Sequence, residues 1–279
     1  MIKPAIRRSA LAAATLAAAA AVYIPAVGVA GAADATRDSA ATPKPTVVFV
    51  HGAFADSSGW YGAMDRLRKD GYPVRAATNP LRGLPSDAAY VRDFLNSIKG
   101  PIILAGHSYG GAVITQAAAG DPDVKALVYV AASVPDVGES LADLKAHAVD
   151  NPAPPLPLQL VEFTNPDGTR SKDAFIDPAK FRETFAADVN PTVAADMADT
   201  QKPIDIAALN QPATAAAWKT IPSWFLIAKQ DQANSTNLQR WEAERIGAHT
   251  VEIDSSHAAM VSHSGAVADL VEKADRGTR

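Results

Sequence analysis

The sequence predicts an α/β fold, a mostly parallel, doubly wound sheet with a helical cap inserted before its fifth strand. Three observations carry that expectation. Short apolar runs alternate with amphipathic segments from Thr46 onward, the pattern of parallel strands joined by crossover helices. The rhythm breaks once, between about residues 137 and 218, and then resumes. The composition, 48% hydrophobic and 20% charged, is ordinary for a globular chain and excludes disordered, collagen-like and coiled-coil readings.

Each element has its own signal. Val47-Val48-Phe49-Val50 is a continuous β-branched and aromatic run, as a strand buried on both faces requires. Trp60, Met64 and Leu67 recur at helical spacing within residues 60–70, and Gly71 stops that helix. Residues 74–77 read as a second strand. Tyr90, Val91, Phe94, Leu95 and Ile98 mark the next helix, ended by Gly100. Strands follow at 101–105 and 126–132, with a helix at 111–119 between them. After the break come a strand at 222–228, a helix at 238–246, a strand at 250–253 and a last helix at 267–274. No leading antiparallel strand is visible, and any such strand would have to come from residues 33–45.

The interrupted stretch contains the Pro-rich segment 151–157 and helical pieces near 178–187 and 191–199. About 80 residues without structure are improbable in a compact domain, so a mostly helical cap over the sheet is expected.

The N-terminal segment reads as an address. Lys3, Arg7 and Arg8 precede an Ala-rich apolar stretch at 10–21, and Ala30-Gly31-Ala32 offers small residues for cleavage. Pro25, Gly28 and Gly31 interrupt the segment, and Ala is too weakly apolar for a good membrane span. Residues 1–32 are therefore expected to be a removable export signal, of the Sec or the twin-arginine kind, and the protein to be secreted. Residues 33–45 read as a solvated leader, and 46–279 as one α/β domain with its cap at about 137–218.

Losing Lys3, Arg7 and Arg8 takes the formal net charge from −4 to −7. With no basic run either, no nucleic-acid or stable membrane partner is expected. Cysteine is absent, which excludes disulfides, thiolate metal sites and a cysteine nucleophile.

The chemistry points to Gly106-His107-Ser108-Tyr109-Gly110-Gly111, lying between an apolar strand and a helix. An abrupt strand-to-helix turn forces its central residue into a strained backbone and brings neighbouring backbone close, so glycines must flank it. Ser108 is thereby lifted above the N-terminus of the following helix, whose dipole favours developing negative charge. No Lys follows the turn, which excludes a phosphate-binding loop. A serine alcohol needs a base. On such a sheet the order is serine, acid, histidine, with the base on the loop after the last strand. His257 meets that demand, and His263 is the runner-up. His107, adjacent to the serine, points elsewhere at such a turn. Asp231 follows the fifth strand and is the candidate to orient the imidazole, with Asp136, after the fourth strand, as the alternative. Asp254 is expected one shell further out. Two backbone amides must hold an oxyanion, and the candidates are Tyr109 and, after the first strand, Ala53. Phe54 is expected to line the pocket beside it.

These segments together resemble the α/β-hydrolase superfamily, and within it the branch of plant methylesterases, hydroxynitrile lyases and their bacterial relatives. The likeness runs from about Thr46 to Lys273 through VVFVHGAF, GHSYGGAV, VYVAASVPD, QDQANSTNLQRW and SSHAAMVSH. It implies the same nucleophile, acid, base and oxyanion donors. The lyases carry Thr where Gly52 stands and Lys where Ala258 stands, so cyanide would lack its positive neighbour here. The methylesterases carry Met at 258, so their substrate preference does not transfer.

The function expected is a serine carboxylesterase-type hydrolase acting on small or medium esters through an acyl-enzyme, without metal or organic cofactor. The alternatives are a lyase or other C–C-bond enzyme on the same scaffold, and a non-catalytic ligand-binding relative. Leu156, Leu158, Leu160, Phe163, Phe175, Phe181, Phe185 and Met197 are the cap residues expected to divide between pocket lining and core. Asn234-Ser235-Thr236 is a glycosylation sequon, relevant only in a glycosylating host. Natural substrate and oligomeric state are not written in the sequence.

Overall fold

The computed structural model describes residues 43–147 and 149–279. The expected export signal and residues 33–42 of the expected leader lie outside the described residues. Six parallel strands form the main sheet: β1 (Thr46–Val50), β2 (Val74–Ala77), β3 (Ile102–His107), β4 (Val124–Val130), β8 (Ser223–Ala228) and β9 (His249–Ile253), in the order β2-β1-β3-β4-β8-β9. The central strands are apolar because both faces are covered. Val47 to Val50 of β1 and every residue of β3 and β8 are buried, whereas the edge strand β9 is half open to solvent.

Helix α1 (Tyr61–Lys69) buries Ala63, Met64 and Leu67 and packs on α9 (Ser264–Gly277). Helices α2 (Leu84–Asn96) and α3 (Tyr109–Ala117) pack on each other, and α3 rests on β1, β3 and β4. Helix α7 (Thr236–Arg245) joins β8 to β9. Crossovers between parallel strands bring every following loop to the same carboxyl edge. Strand order reverses between β1 and β3, the point at which such sheets open a crevice.

The cap differs from expectation. It contains helices α4 (Leu141–Ala146), α5 (Pro178–Phe185) and α6 (Pro191–Asp199), the last two where the helical pieces were expected. It also contains an antiparallel hairpin, β5 (Leu158–Thr164) and β6 (Arg170–Ile176), extended by the short β7 (Ile204–Asp205) into a three-stranded sheet. The expectation of no sheet-like run is thus corrected. The reason is burial: no residue of β5 is buried, so no apolar alternation was needed to build it. The turn signal was present. Asn165-Pro166-Asp167-Gly168 closes the hairpin, with Gly168 at φ +86° and its N–H on the Asn165 carbonyl at 2.9 Å.

Candidate active site

Ser108 stands between β3 and α3 with φ 52° and ψ −124°, a backbone conformation outside the ordinary allowed regions that costs about 1–3 kcal/mol. The turn is held from several sides. Ser108 N–H donates to the Val130 carbonyl at 3.2 Å, and its own carbonyl accepts from Gly111 N–H at 2.9 Å and Ser133 N–H at 3.1 Å. Side chains are excluded where the chain segments cross. A Cβ on Gly106 would lie 2.6 Å from the Gly110 carbonyl oxygen, and one on Gly110 would lie 2.5 Å from that of Val50. The glycines expected at an abrupt turn are therefore required by backbone approach.

His257 sits on the loop between β9 and α8 (Ala259–Ser262) and is buried. Its Nδ1 lies 2.6 Å from Asp231 Oδ2, which leaves Nε2 as the ring nitrogen able to take a proton. Asp231, on the loop after β8, is saturated with donors. Ala233 and Asn234 N–H donate to Oδ1 at 2.8 and 2.9 Å, and Gln239 Nε2 donates to Oδ2 at 2.9 Å. Four charge-assisted contacts fix the carboxylate plane and thereby the imidazole. The alternatives lie elsewhere. Asp136 pairs with Lys219 at 2.5 Å. Asp254 points outward to Lys229 at 3.0 Å, so it is not the outer neighbour of His257 that was expected. His263 is partly exposed, 2.9 Å from Ser262 Oγ and 3.4 Å from Asp188 Oδ2.

Two neighbouring histidines are structural. His107 is fully buried, its ring centroid 4.7 Å from that of His257, and its Nε2–H donates to the His257 carbonyl at 3.0 Å. Burial, with the nearby His257, holds its pKa well below the usual imidazole value, so it stays neutral. His51 is pushed down to about 4, chiefly by burial, and its Nε2 accepts from Asn79 N–H at 3.1 Å.

The two expected oxyanion donors flank the serine. Tyr109 is the first residue of α3, so its N–H has no intrahelical acceptor. On the other side, Phe54 N–H is engaged by the Lys202 carbonyl at 2.9 Å, while Ala53 N–H meets no acceptor among the described residues. Val50 pairs with Gly106 across β1 and β3, which sets the two loops side by side.

Ser108, His257, Ala53 and Tyr109 line one cavity of about 290 Å³. Of the eight apolar cap residues considered, Leu156, Leu158 and Phe185 line it. Phe181 is core, Leu160 is exposed, and Met197 lines a smaller hollow beside Phe54. Asn234 also faces the cavity; it is buried, with its amide on the Ala132 carbonyl at 3.3 Å, so the sequon is closed in the folded protein.

Two residues escaped the sequence reading. Gln239 is completely buried and bridges Asp231, the Asn234 carbonyl (2.8 Å) and Ala228 N–H (3.0 Å). Its signal was available: Gln239 and Glu242 are polar yet share the buried face of α7 with Leu238 and Ala243. Lys145, on α4, lines the same cavity, and nothing in the local pattern announces it.

The family model of the α/β hydrolase family matches residues 47–270, and the chain belongs to that family. It is 28% identical over 252 residues to the α/β hydrolase nvfD of Aspergillus novofumigatus, covering 83% of this chain and 96% of that one. Over 115 residues it is 35% identical to a carbendazim hydrolyzing esterase of a Nocardioides species, 37% of this chain and 48% of the relative. Among solved structures, polyneuridine aldehyde esterase superposes with a TM-score of 0.72 at 17% identity, over 82% of this chain and 98% of that one. That likeness is one of fold.

Proposed function

We propose that the protein is a serine hydrolase cleaving small or medium carboxylic esters through an acyl-enzyme. The observation that carries this reading is the buried His257–Asp231 contact of 2.6 Å, with His257 and Ser108 on the wall of one cavity. Ser108 Oγ attacks the ester carbonyl carbon while His257 Nε2 takes its proton. The negative charge that develops on the carbonyl oxygen is met by the Ala53 and Tyr109 amides and the N-terminal end of α3. His257 passes the proton to the departing alcohol. Water then attacks the acyl group with the same imidazole as base, and the acid leaves. Relatives named as esterases support the choice of ester substrates.

The runner-up is a lyase on the same scaffold. A Cβ at Gly52 would meet Ser108 Cβ at 2.7 Å, so this chain has no room for the Thr that the lyases carry there. One observation favours it nonetheless, since Lys145 returns a cation to the cavity from the cap. Purified protein is therefore assayed on 4-nitrophenyl butyrate and on mandelonitrile. Ester cleavage is expected to dominate, and Ser108→Ala to lower it at least about a thousandfold with the fold intact. Cyanide release outpacing ester cleavage would select the lyase. Near-normal ester cleavage by Ser108→Ala would remove the serine mechanism.

A further inference from the structure

The cavity beside Ser108 is mostly apolar, walled by Phe54, Leu141, Leu156, Leu158, Phe185 and Leu209. Lys145 interrupts that wall. It lies at the junction of this cavity with a second hollow of about 150 Å³, and both share Lys145, Pro155, Leu156, Ala233 and Asn234. Lys145 is exposed as well as cavity-lining. The amino group has no ion-pair or hydrogen-bond partner among the described residues. The carboxylate whose charge it feels, Asp231, is already supplied with donors by His257, Gln239, Ala233 and Asn234. Surrounding protein lowers the Lys145 pKa, with Asp231 opposing that effect. An ammonium on a cavity wall with no protein acceptor leaves its three N–H donors to water, which a ligand carboxylate can replace.

We infer that Lys145 is a specificity residue that binds a carboxylate on the substrate, so that the preferred ester carries an apolar body and one free carboxylate. The carboxylate would sit at the junction of the two hollows, with the ester carbonyl at Ser108. A carboxylate here gives the ammonium a charged acceptor in place of water, which a neutral ester of equal size does not. This rests on the ester-hydrolase reading for its substrate class, but the carboxylate site stands apart from the chemistry.

Two matched pairs of esters test it. 4-Nitrophenyl valerate and the mono-4-nitrophenyl ester of glutaric acid differ by a carboxylate on the acyl side. Benzyl butyrate and 4-carboxybenzyl butyrate differ by one on the alcohol side. In at least one pair, the ratio of kcat/KM for the carboxylate ester to that for the neutral ester should fall about tenfold in Lys145→Met and further in Lys145→Glu. Lys145→Arg should keep most of it. Lys145→Gln replaces the Met variant if that variant melts early by circular dichroism. Unchanged ratios in both pairs overturn the inference. If the wild-type protein cleaves none of the four esters, the ester-hydrolase reading fails, and calorimetric titration of monobenzyl glutarate reads the site directly. Binding about tenfold weaker in Lys145→Met then upholds the carboxylate site. Equal binding, or none to either protein, refutes it.

Discussion

The carboxyl end of the six-stranded sheet and the hairpin of the cap are built from strands of similar length, yet they are written in different ways. Strand β3 has six residues, all buried, and β5 has seven, none buried. Burial on both faces demands a continuous apolar run, which the eye finds in the sequence. A strand such as β5, with no residue buried, demands only backbone pairing and a turn, which leaves almost no trace in composition, and its partner β6 buries only Ala174 and Ile176. The division extends to the cavity. From the sheet side come backbone amides and a strained turn packed against neighbouring backbone. From the cap come side chains, Leu156, Leu158, Phe185 and Lys145. The sheet end is thus constrained by backbone approach, whereas the cap contributes to the cavity through side-chain type.

That contrast is broken most severely at the glycines. In Gly110→Ala the new methyl would press on the carbonyls of Val50 and His51, backbone atoms that cannot move without distorting β1. A loss of several kcal/mol, lowering Tm by about 10 °C or more, is expected in a thermal melt. Gly168→Ala in the hairpin turn meets nothing within 4 Å and carries only the strain of a positive φ, about 1–2 kcal/mol. Equal Tm losses for the two variants would erase the contrast.

A subtler test concerns Glu242, fully buried behind the sheet with its Oε1 accepting Val134 N–H at 2.8 Å. Burial raises its pKa from 4.5 to about 8, so the folded protein holds a proton that the unfolded chain releases over that interval. The stability owed to this group is complete below pH 4.5 and is lost as pH rises through 8. Chemical denaturation across this window should show Glu242→Gln gaining on the wild type as pH rises. Parallel curves would mean that the carboxyl is ionised in the fold. The smallest effect belongs to the hairpin. Val161 is 54% exposed, and Val161→Ser should change stability by no more than about 0.5 kcal/mol in urea.

How far the site could be read follows the same division. Ser108 and its glycines are contiguous, and backbone crowding leaves few residue types able to stand there. His257 and Asp231 could be named from their stations after β9 and β8, since a parallel sheet delivers each such loop to one edge. The chain itself favours Asp231 over Asp136; the structure adds the 2.6 Å contact of Asp231 with the His257 ring and the pairing of Asp136 with Lys219. Gln239 left a partial sign, as a polar residue on an apolar helix face. Lys145 left none: it lies on a six-residue helix 86 residues before Asp231, and its electrostatic coupling to that carboxylate arises from how the cap folds over the sheet.

Alternating apolar runs, turn glycines and the stations of serine, acid and base are properties of the chain read locally, because sheet burial and backbone crowding constrain residue type position by position. The exposed strand β5 of the cap, the hydrogen-bonded cage around Asp231 and the amine in the cavity are of another kind. Each depends on which distant segments become neighbours, and where water tolerates most side chains, no residue pattern records that outcome.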